Sequence, residues 1–456
     1  MHRFLVSAAH KSSGKTTLSV GLAAAFARRG LAVQTFKKGP DYIDPLWLAV
    51  ASGRPCRNLD FYVASREEIL ASFAGHGAAA DVCLIEGNKG LYDGLDLDGS
   101  NSNAALAKLV AAPVVLVIDA RGMTRGIAPL ILGHQAFDPE VRFAGVVLNR
   151  LGGSRHEAKL RAVIEHYTGV PVLGAVHEDP AIGIIERHLG LVPANETAAA
   201  AARIEAIGAA VERQVELDKL LERTRAEKPL PGVPRARPGR PAPDVRIGVA
   251  RDRAFGFYYA GDLEALEDAG AAVVPFDTLR DARLPPVDAL FVGGGFPECC
   301  AARLEANASL RAEIRQRIEG GTPVYAECGG LMYLARSIAW MGERREMVGA
   351  IAADVVMRER PTGRGYVRLE TSAGHPWGME PGQEIRAHEF HYSSLEGLDP
   401  ATPFAYRVRR GHGIDGERDG IVVKNLLASY AHLRDVAGNP WARRFVDFVR
   451  SCRHAA

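Results

Sequence analysis

The stretch Phe4-Leu5-Val6-Ser7-Ala8-Ala9-His10-Lys11-Ser12-Ser13-Gly14-Lys15-Thr16-Thr17 passes from an apolar run into a Gly-Lys-Thr turn. Strand, loop and helix in that order make a phosphate-binding loop. Its backbone N–H groups point inward, its lysine reaches the β/γ oxygens and its hydroxyl meets Mg2+. Gly14, Lys15 and Thr16 end the G-x-x-x-x-G-K-[ST] pattern, followed by Thr17. Ala9 stands where the first glycine would be, and Lys11 offers a second cation within the loop. Outward from this stretch, short apolar runs at 4–8, 33–36, 82–85, 114–119, 145–148 and 172–175 alternate with helical patterns. The alternation predicts an α/β fold, a mostly parallel sheet covered by helices, with ligands at the carboxyl ends of its strands.

Carboxylates stand at those ends. Lys37-Lys38-Gly39-Pro40-Asp41-Tyr42-Ile43-Asp44-Pro45 follows the second strand, Glu86-Gly87 follows the third, and Leu91-Tyr92-Asp93-Gly94 lies just beyond. An acid at a strand end beside a phosphate loop is where Mg2+ is bridged to ATP, so Thr16, Asp41 and Glu86 are the expected metal ligands. Asn149, closing the run at 145–148, is expected against the adenine edge.

The second half restarts with strands expected at 246–250, 273–275, 289–293 and 324–326, in the same style. Val324-Tyr325-Ala326-Glu327-Cys328-Gly329-Gly330 puts a cysteine on a strand-to-helix corner, where the helix N-terminus is expected to lower the thiol pKa. The Gly329 N–H and a glycine turn around Gly294 can stabilise an oxyanion. His432, at the end of an expected last strand, is the base for Cys328. A glutamate two residues after that histidine would complete a triad, but Arg434 stands there. The pair is read as a Cys–His dyad unless Asp435 joins it. His388-Glu389-Phe390-His391 reads as a structural or substrate-contacting strand, and Cys299-Cys300 as the start of a helix.

Between the halves, 228–243 holds six prolines and three arginines and reads as an extended tether. The expected domains are therefore 1–227 and 244–456, the first closed by a long amphipathic helix over 196–227. A length of 456 residues fits two cores. A net charge of +2 gives no footprint for nucleic acid or membrane. Six scattered cysteines without a C-x-x-C pair, an N-terminus running directly into a strand and no bilayer-length apolar run point to the cytoplasm.

Several segments then carry a resemblance: KKGPDYIDP (37–45), RNLD (57–60), IEG through GLYDG (85–94), PVVLVIDA (113–120), ERHLGLVPA (186–194), VGGGFPE (292–298), YAECGGLMYL (325–334) and HEFHYS (388–393). Over essentially its full length the chain resembles the cobyrinic acid a,c-diamide synthases. The resemblance implies an N-terminal domain like dethiobiotin synthetase and a C-terminal class I-like glutaminase. It implies ATP-dependent activation of tetrapyrrole carboxylates as acyl phosphates, which ammonia from glutamine converts to amides. The implied substrate is the a and c carboxylates of cobyrinic or hydrogenobyrinic acid. Asp41, Tyr42, Asp44, Glu86 and Asp93 carry over as phosphate, metal or substrate residues, Cys328 as nucleophile and His432 as its activator; relatives also suggest a homodimer. Asn88-Lys89, Phe61-Tyr62-Val63 and the run from Tyr430 to Asp435 depart from the family pattern, which leaves sirohaem or sirohydrochlorin open as the ring. A P-loop switch protein with a degenerate glutaminase domain is the alternative of a different class.

Overall fold

The computed structural model describes residues 1–184, 186–187, 190–196, 199–226, 229 and 239–455. These fall into two compact units, Met1–Ala236 and Arg237–Ala456. Most of the proline- and arginine-rich tether lies outside the described residues.

The first unit is built on seven parallel strands: β1 (His2–Ala8), β2 (Val33–Lys38), β3 (Arg57–Leu59), β4 (Val82–Glu86), β5 (Val114–Asp119), β6 (Phe143–Leu151) and β7 (Val172–His177), in the spatial order β3-β2-β4-β1-β5-β6-β7. Strands covered on both faces read as continuous apolar runs, and Phe4, Leu5 and Val6 are wholly buried. The strand register positions the charged side chains: Val6 and Lys37 both pair with Glu86. Parallel partners share a face, so Lys37 and Glu86 are brought side by side at the carboxyl edge, where the loop after β1 begins. Helix α1 (Lys15–Arg28) leaves that loop, and α2 (Ile43–Ser52) follows β2.

The long helix expected over 196–227 is instead two helices, Ala200–Gln214 and Leu217–Thr224. Between them Val215 bridges to Gly174 at the sheet edge and Glu216 donates its N–H to the Leu173 carbonyl. Positions 197, 198 and 227 lie outside the described residues.

The second unit departs from its expected style. Ala271–Phe276, Val245–Ala250, Ala289–Val292, Val324–Glu327 and Leu426–Ser429 form a parallel half-sheet in that order. The sheet then continues antiparallel through Arg418–Val423, Phe404–Arg410, Gly363–Thr371 and Glu384–His391. Gly363–Thr371 shows why: Val367, Leu369 and Thr371 are buried while Arg368 between them is exposed, the alternation of a sheet with one wet face. Glu343–Glu346, Ala335–Trp340, Ile351–Met357 and Ser393–Glu396 add a four-stranded side sheet. Among the described residues no helix is long and apolar enough to cross a membrane.

Candidate active sites

In the first unit, the loop between β1 and α1 holds Gly14 at φ 88°, the left-handed region where glycine is favoured. A Cβ at Gly14 would also collide with the Asn149 side chain. Asn149 Nδ2 donates to the Ser13 carbonyl over 2.9 Å, so this residue, expected at an adenine edge, lies against the phosphate loop itself. A second brace escaped the sequence reading: Arg150 Nη1 donates to the Ser12 carbonyl and to Asp119 Oδ2, each over 2.9 Å.

Lys15 is buried, Thr16 and Thr17 are half-buried, and Lys11 stands exposed. Thr16 Oγ1 lies 2.7 Å from Glu86 Oε1 and 3.3 Å from Asp44 Oδ2. At the centre sits a residue not singled out from sequence. Lys37 Nζ contacts Asp44 Oδ2 at 2.5 Å, Glu86 Oε1 at 2.9 Å and Asp41 Oδ2 at 3.9 Å. Burial opposes the Lys37 charge, but Asp44, Glu86 and Asp41 together outweigh it and raise the ammonium well above its ordinary value. Burial, helped by the Asp44 charge, pushes Glu86 up to about 7 against the pull of Lys37. Lys15 is lowered, first by burial and then by repulsion from Lys37.

Asp41 is half-buried and accepts the Asp44 N–H over 3.0 Å; Tyr42 is buried at the start of α2. Asp93 is exposed, its Oδ2 accepting from the Gly90 N–H over 2.8 Å, which shapes the turn packed against Ala9. Hence Lys15, Thr16, Asp41, Asp44 and Glu86 form one cluster, with Asp93 on the adjoining turn. Glu86 Oε2 is buried without a hydrogen-bond partner, whereas Oε1 is shared by Thr16 and Lys37. A buried carboxylate oxygen beside a threonine hydroxyl and a second carboxylate is the hard, all-oxygen donor set that Mg2+ takes.

In the second unit Cys328 stands between the strand Val324–Glu327 and the helix Gly329–Leu334 with φ 47° and ψ −102°. This strained corner turns the side chain off the strand end. The helix is six residues long, and its N-terminus does not decide the thiol pKa as expected. Burial, reinforced by the Glu298 charge, pushes the Cys328 thiol well up, and the Gly329 N–H pulls the other way without prevailing. Gly294 is tight against the histidine, since a Cβ there would lie 2.6 Å from His432 Cε1. Gly329 packs over the Gly295 backbone, so the two expected oxyanion glycines belong to one neighbourhood.

His432 is buried, and burial pushes it down to about 3, which keeps the imidazole neutral. Its backbone pairs with His388, and the two rings stack with centroids 4.9 Å apart. Asp435 is engaged elsewhere: its Oδ2 accepts the Ala442 N–H at the start of the C-terminal helix Trp441–Ala455. His388 and His391 lie on the strand Glu384–His391, and among the described residues no three His, Cys, Asp or Glu side chains are grouped to hold a metal ion.

Residues 5–192 match the CobQ/CobB/MinD/ParA nucleotide binding domain, and residues 246–438 match the CobB/CobQ-like glutamine amidotransferase domain. The chain is 46% identical to a cobyrinate a,c-diamide synthase of Magnetococcus marinus, covering 98% of this chain and 97% of that one. It is 42% identical to the enzyme of the same name from Methanosarcina acetivorans over 98% of this chain and 95% of the relative. The corresponding figures for Archaeoglobus fulgidus are 42%, 97% and 96%.

Proposed function

The chain belongs to the cobyrinate a,c-diamide synthase family, carbon–nitrogen ligases with glutamine as nitrogen donor, and on that premise we propose that it amidates the a and c carboxylates of cobyrinate, or of hydrogenobyrinate, at the expense of ATP. The observation that carries the first half-reaction is the cluster around Glu86, with Thr16 2.7 Å away and one carboxylate oxygen left without a partner. The names of the relatives favour a corrin over a sirohaem-type ring.

In this reading the loop backbone from Ala9 to Gly14 cradles the ATP phosphates, and Lys15 balances charge on the β/γ oxygens. Thr16, Asp41 and Glu86 hold Mg2+, which when bound draws charge from the phosphates. Lys37 keeps Asp44 and Glu86 from repelling each other. Tyr42, Asp44 and Asp93 face the incoming substrate. A substrate carboxylate oxygen attacks the γ-phosphorus, the bond from that phosphorus to the β,γ-bridging oxygen breaks, and ADP leaves. Ammonia then attacks the acyl carbon and phosphate departs, leaving the amide. In the second unit Cys328 Sγ attacks the glutamine side-chain carbonyl while His432 takes the thiol proton, and the Gly329 and Gly294 N–H groups meet the oxyanion. Protonated by His432, ammonia leaves; water then hydrolyses the thioester to glutamate.

The test is ADP release by purified protein with Mg·ATP and glutamine, comparing cobyrinate, hydrogenobyrinate, sirohydrochlorin and sirohaem, with product masses read in parallel. OH-to-NH2 exchange on a corrin is the expected outcome. Exchange on the sirohaem series alone would reassign the substrate, and no turnover with any ring would overturn the ligase reading.

A further inference from the structure

His432 takes the thiol proton in the function proposed above, and the present inference rests on that reading. A histidine base works best when a carboxylate fixes which ring nitrogen keeps its proton. The residues after His432 supply none. Arg434 Nη1 reaches Asp262 at 3.3 Å with its guanidinium over the Tyr259 ring, and Asp435 engages Ala442. A carboxylate arrives instead from the other strand, one residue before the nucleophile. Glu327 Oε2 lies 3.4 Å from His432 Nδ1, with both side chains buried.

That glutamate is held in place. Its Oε1 accepts from the Tyr325 hydroxyl over 2.5 Å and from the Leu433 N–H over 2.8 Å. The second of these bonds ties it to the backbone of the residue next to His432. The imidazole is stacked on His388, and the backbones of the two residues are paired. A contact of 3.4 Å is long for a hydrogen bond, and catalytic hydrogen bonds tighten in the substrate complex.

We propose that Glu327 is the positioning carboxylate of a Cys328–His432–Glu327 triad. It accepts a hydrogen bond from His432 Nδ1–H and so leaves Nε2 unprotonated to take the proton from Cys328 Sγ. In that step the S–H bond breaks and the Nε2–H bond forms, while the Nδ1 proton stays where it is and the carboxylate stabilises the imidazolium. The glutamate expected after the histidine is thus replaced from the strand that carries the cysteine.

Glu327→Gln tests this, because the amide keeps the size and an acceptor for Tyr325 and Leu433 but turns an N–H2 toward Nδ1, forcing the proton onto Nε2. The expected result, for glutamine hydrolysis by the full chain, is a kcat decrease of about 100-fold or more with KM for glutamine unchanged. Glu327→Asp, which keeps a carboxyl group, should recover part of that loss. Wild-type kcat in Glu327→Gln, or equal loss with Glu327→Asp and Glu327→Gln together with a lower melting temperature, would overturn the proposal. If Glu327→Gln does not fold, Tyr325→Phe, which loosens Oε1, should lower kcat at constant KM, and an unchanged kcat would overturn it. Cys328→Ala run in parallel separates the two levels. If it still hydrolyses glutamine, the nucleophile reading itself fails; if it is inactive while Glu327→Gln is normal, only the triad fails.

Discussion

Cys328 pairs a positive φ with a buried thiol, and both bear on its reactivity. A non-glycine residue in that region stores roughly 1–3 kcal/mol of strain, held by the strand and helix on either side. With the thiol pushed up by burial and by Glu298, little thiolate exists before glutamine binds. Iodoacetamide should therefore label Cys328 more than about 10-fold more slowly than a free thiol at neutral pH, with the rate still rising at about pH 10. Peptide mass mapping will separate it from the other five cysteines. Fast labelling at neutral pH would mean that a cation or helix terminus dominates after all. The strand-to-helix corner at Cys328 was legible because an apolar strand, Glu-Cys-Gly-Gly and a helical run follow each other without a break. Lys37 and Glu327 were not, since each reads locally as an ordinary charged residue on a strand. Only the pairing of β2 with β4, and of Val324–Glu327 with Leu426–Ser429, brings them to their partners.

At the scale of elements, the phosphate loop is steadied by a charge network at the carboxyl ends of β5 and β6. Burial pushes Asp119 up, but hydrogen bonds from Arg121 and Arg150 outweigh it and hold the carboxyl at about 2. Its folded pKa lies below the unfolded value near 4, so the stabilisation is fully present above about pH 4 and is lost as pH falls through about 2. Asp119→Asn should destabilise the first unit by about 1–2 kcal/mol at neutral pH, discounted for the exposed Arg121. Denaturant unfolding at successive pH values should show the gap close toward pH about 2; a pH-independent gap would point to packing instead. In the second unit, Gly330 packs directly on the strand end at Val292, and an added Cβ would collide with the Val292 carbonyl oxygen. Gly330→Ala should cost about 3 kcal/mol or more, read as a lowered melting temperature, because backbone rather than a flexible side chain must yield. The parallel strands were legible as buried apolar runs. Of the antiparallel strands, His388–His391 within Glu384–His391 read as a strand, but Gly363–Thr371 did not: charged residues such as Arg364, Arg368 and Glu370 interrupt it on its wet face. Three-residue β3, Arg57–Leu59, is too short to show a period.

At the scale of the whole molecule, the proposed function gives each unit one half-reaction and has them share only ammonia, which makes their contributions separable. The proline-rich run between the halves marked where two units would part, and the structure falls into two compact units, Met1–Ala236 and Arg237–Ala456. If Cys328 serves glutamine hydrolysis alone, Cys328→Ala removes glutamine-driven amidation by at least about 1000-fold and leaves amidation driven by ammonium chloride intact. If Lys15 serves the phosphates alone, Lys15→Ala lowers amidation from either nitrogen source by about 100-fold or more while glutamine hydrolysis persists. Together the two variants fill a pattern of four outcomes, read as amide formed on the ring and as glutamate released. Loss of ammonia-driven amidation in a folded Cys328→Ala chain would place the cysteine in the ligation step. Retained amidation in Lys15→Ala would remove the phosphate loop from it. Each failure strikes a different unit, so the division of labour is tested one half at a time in the intact chain.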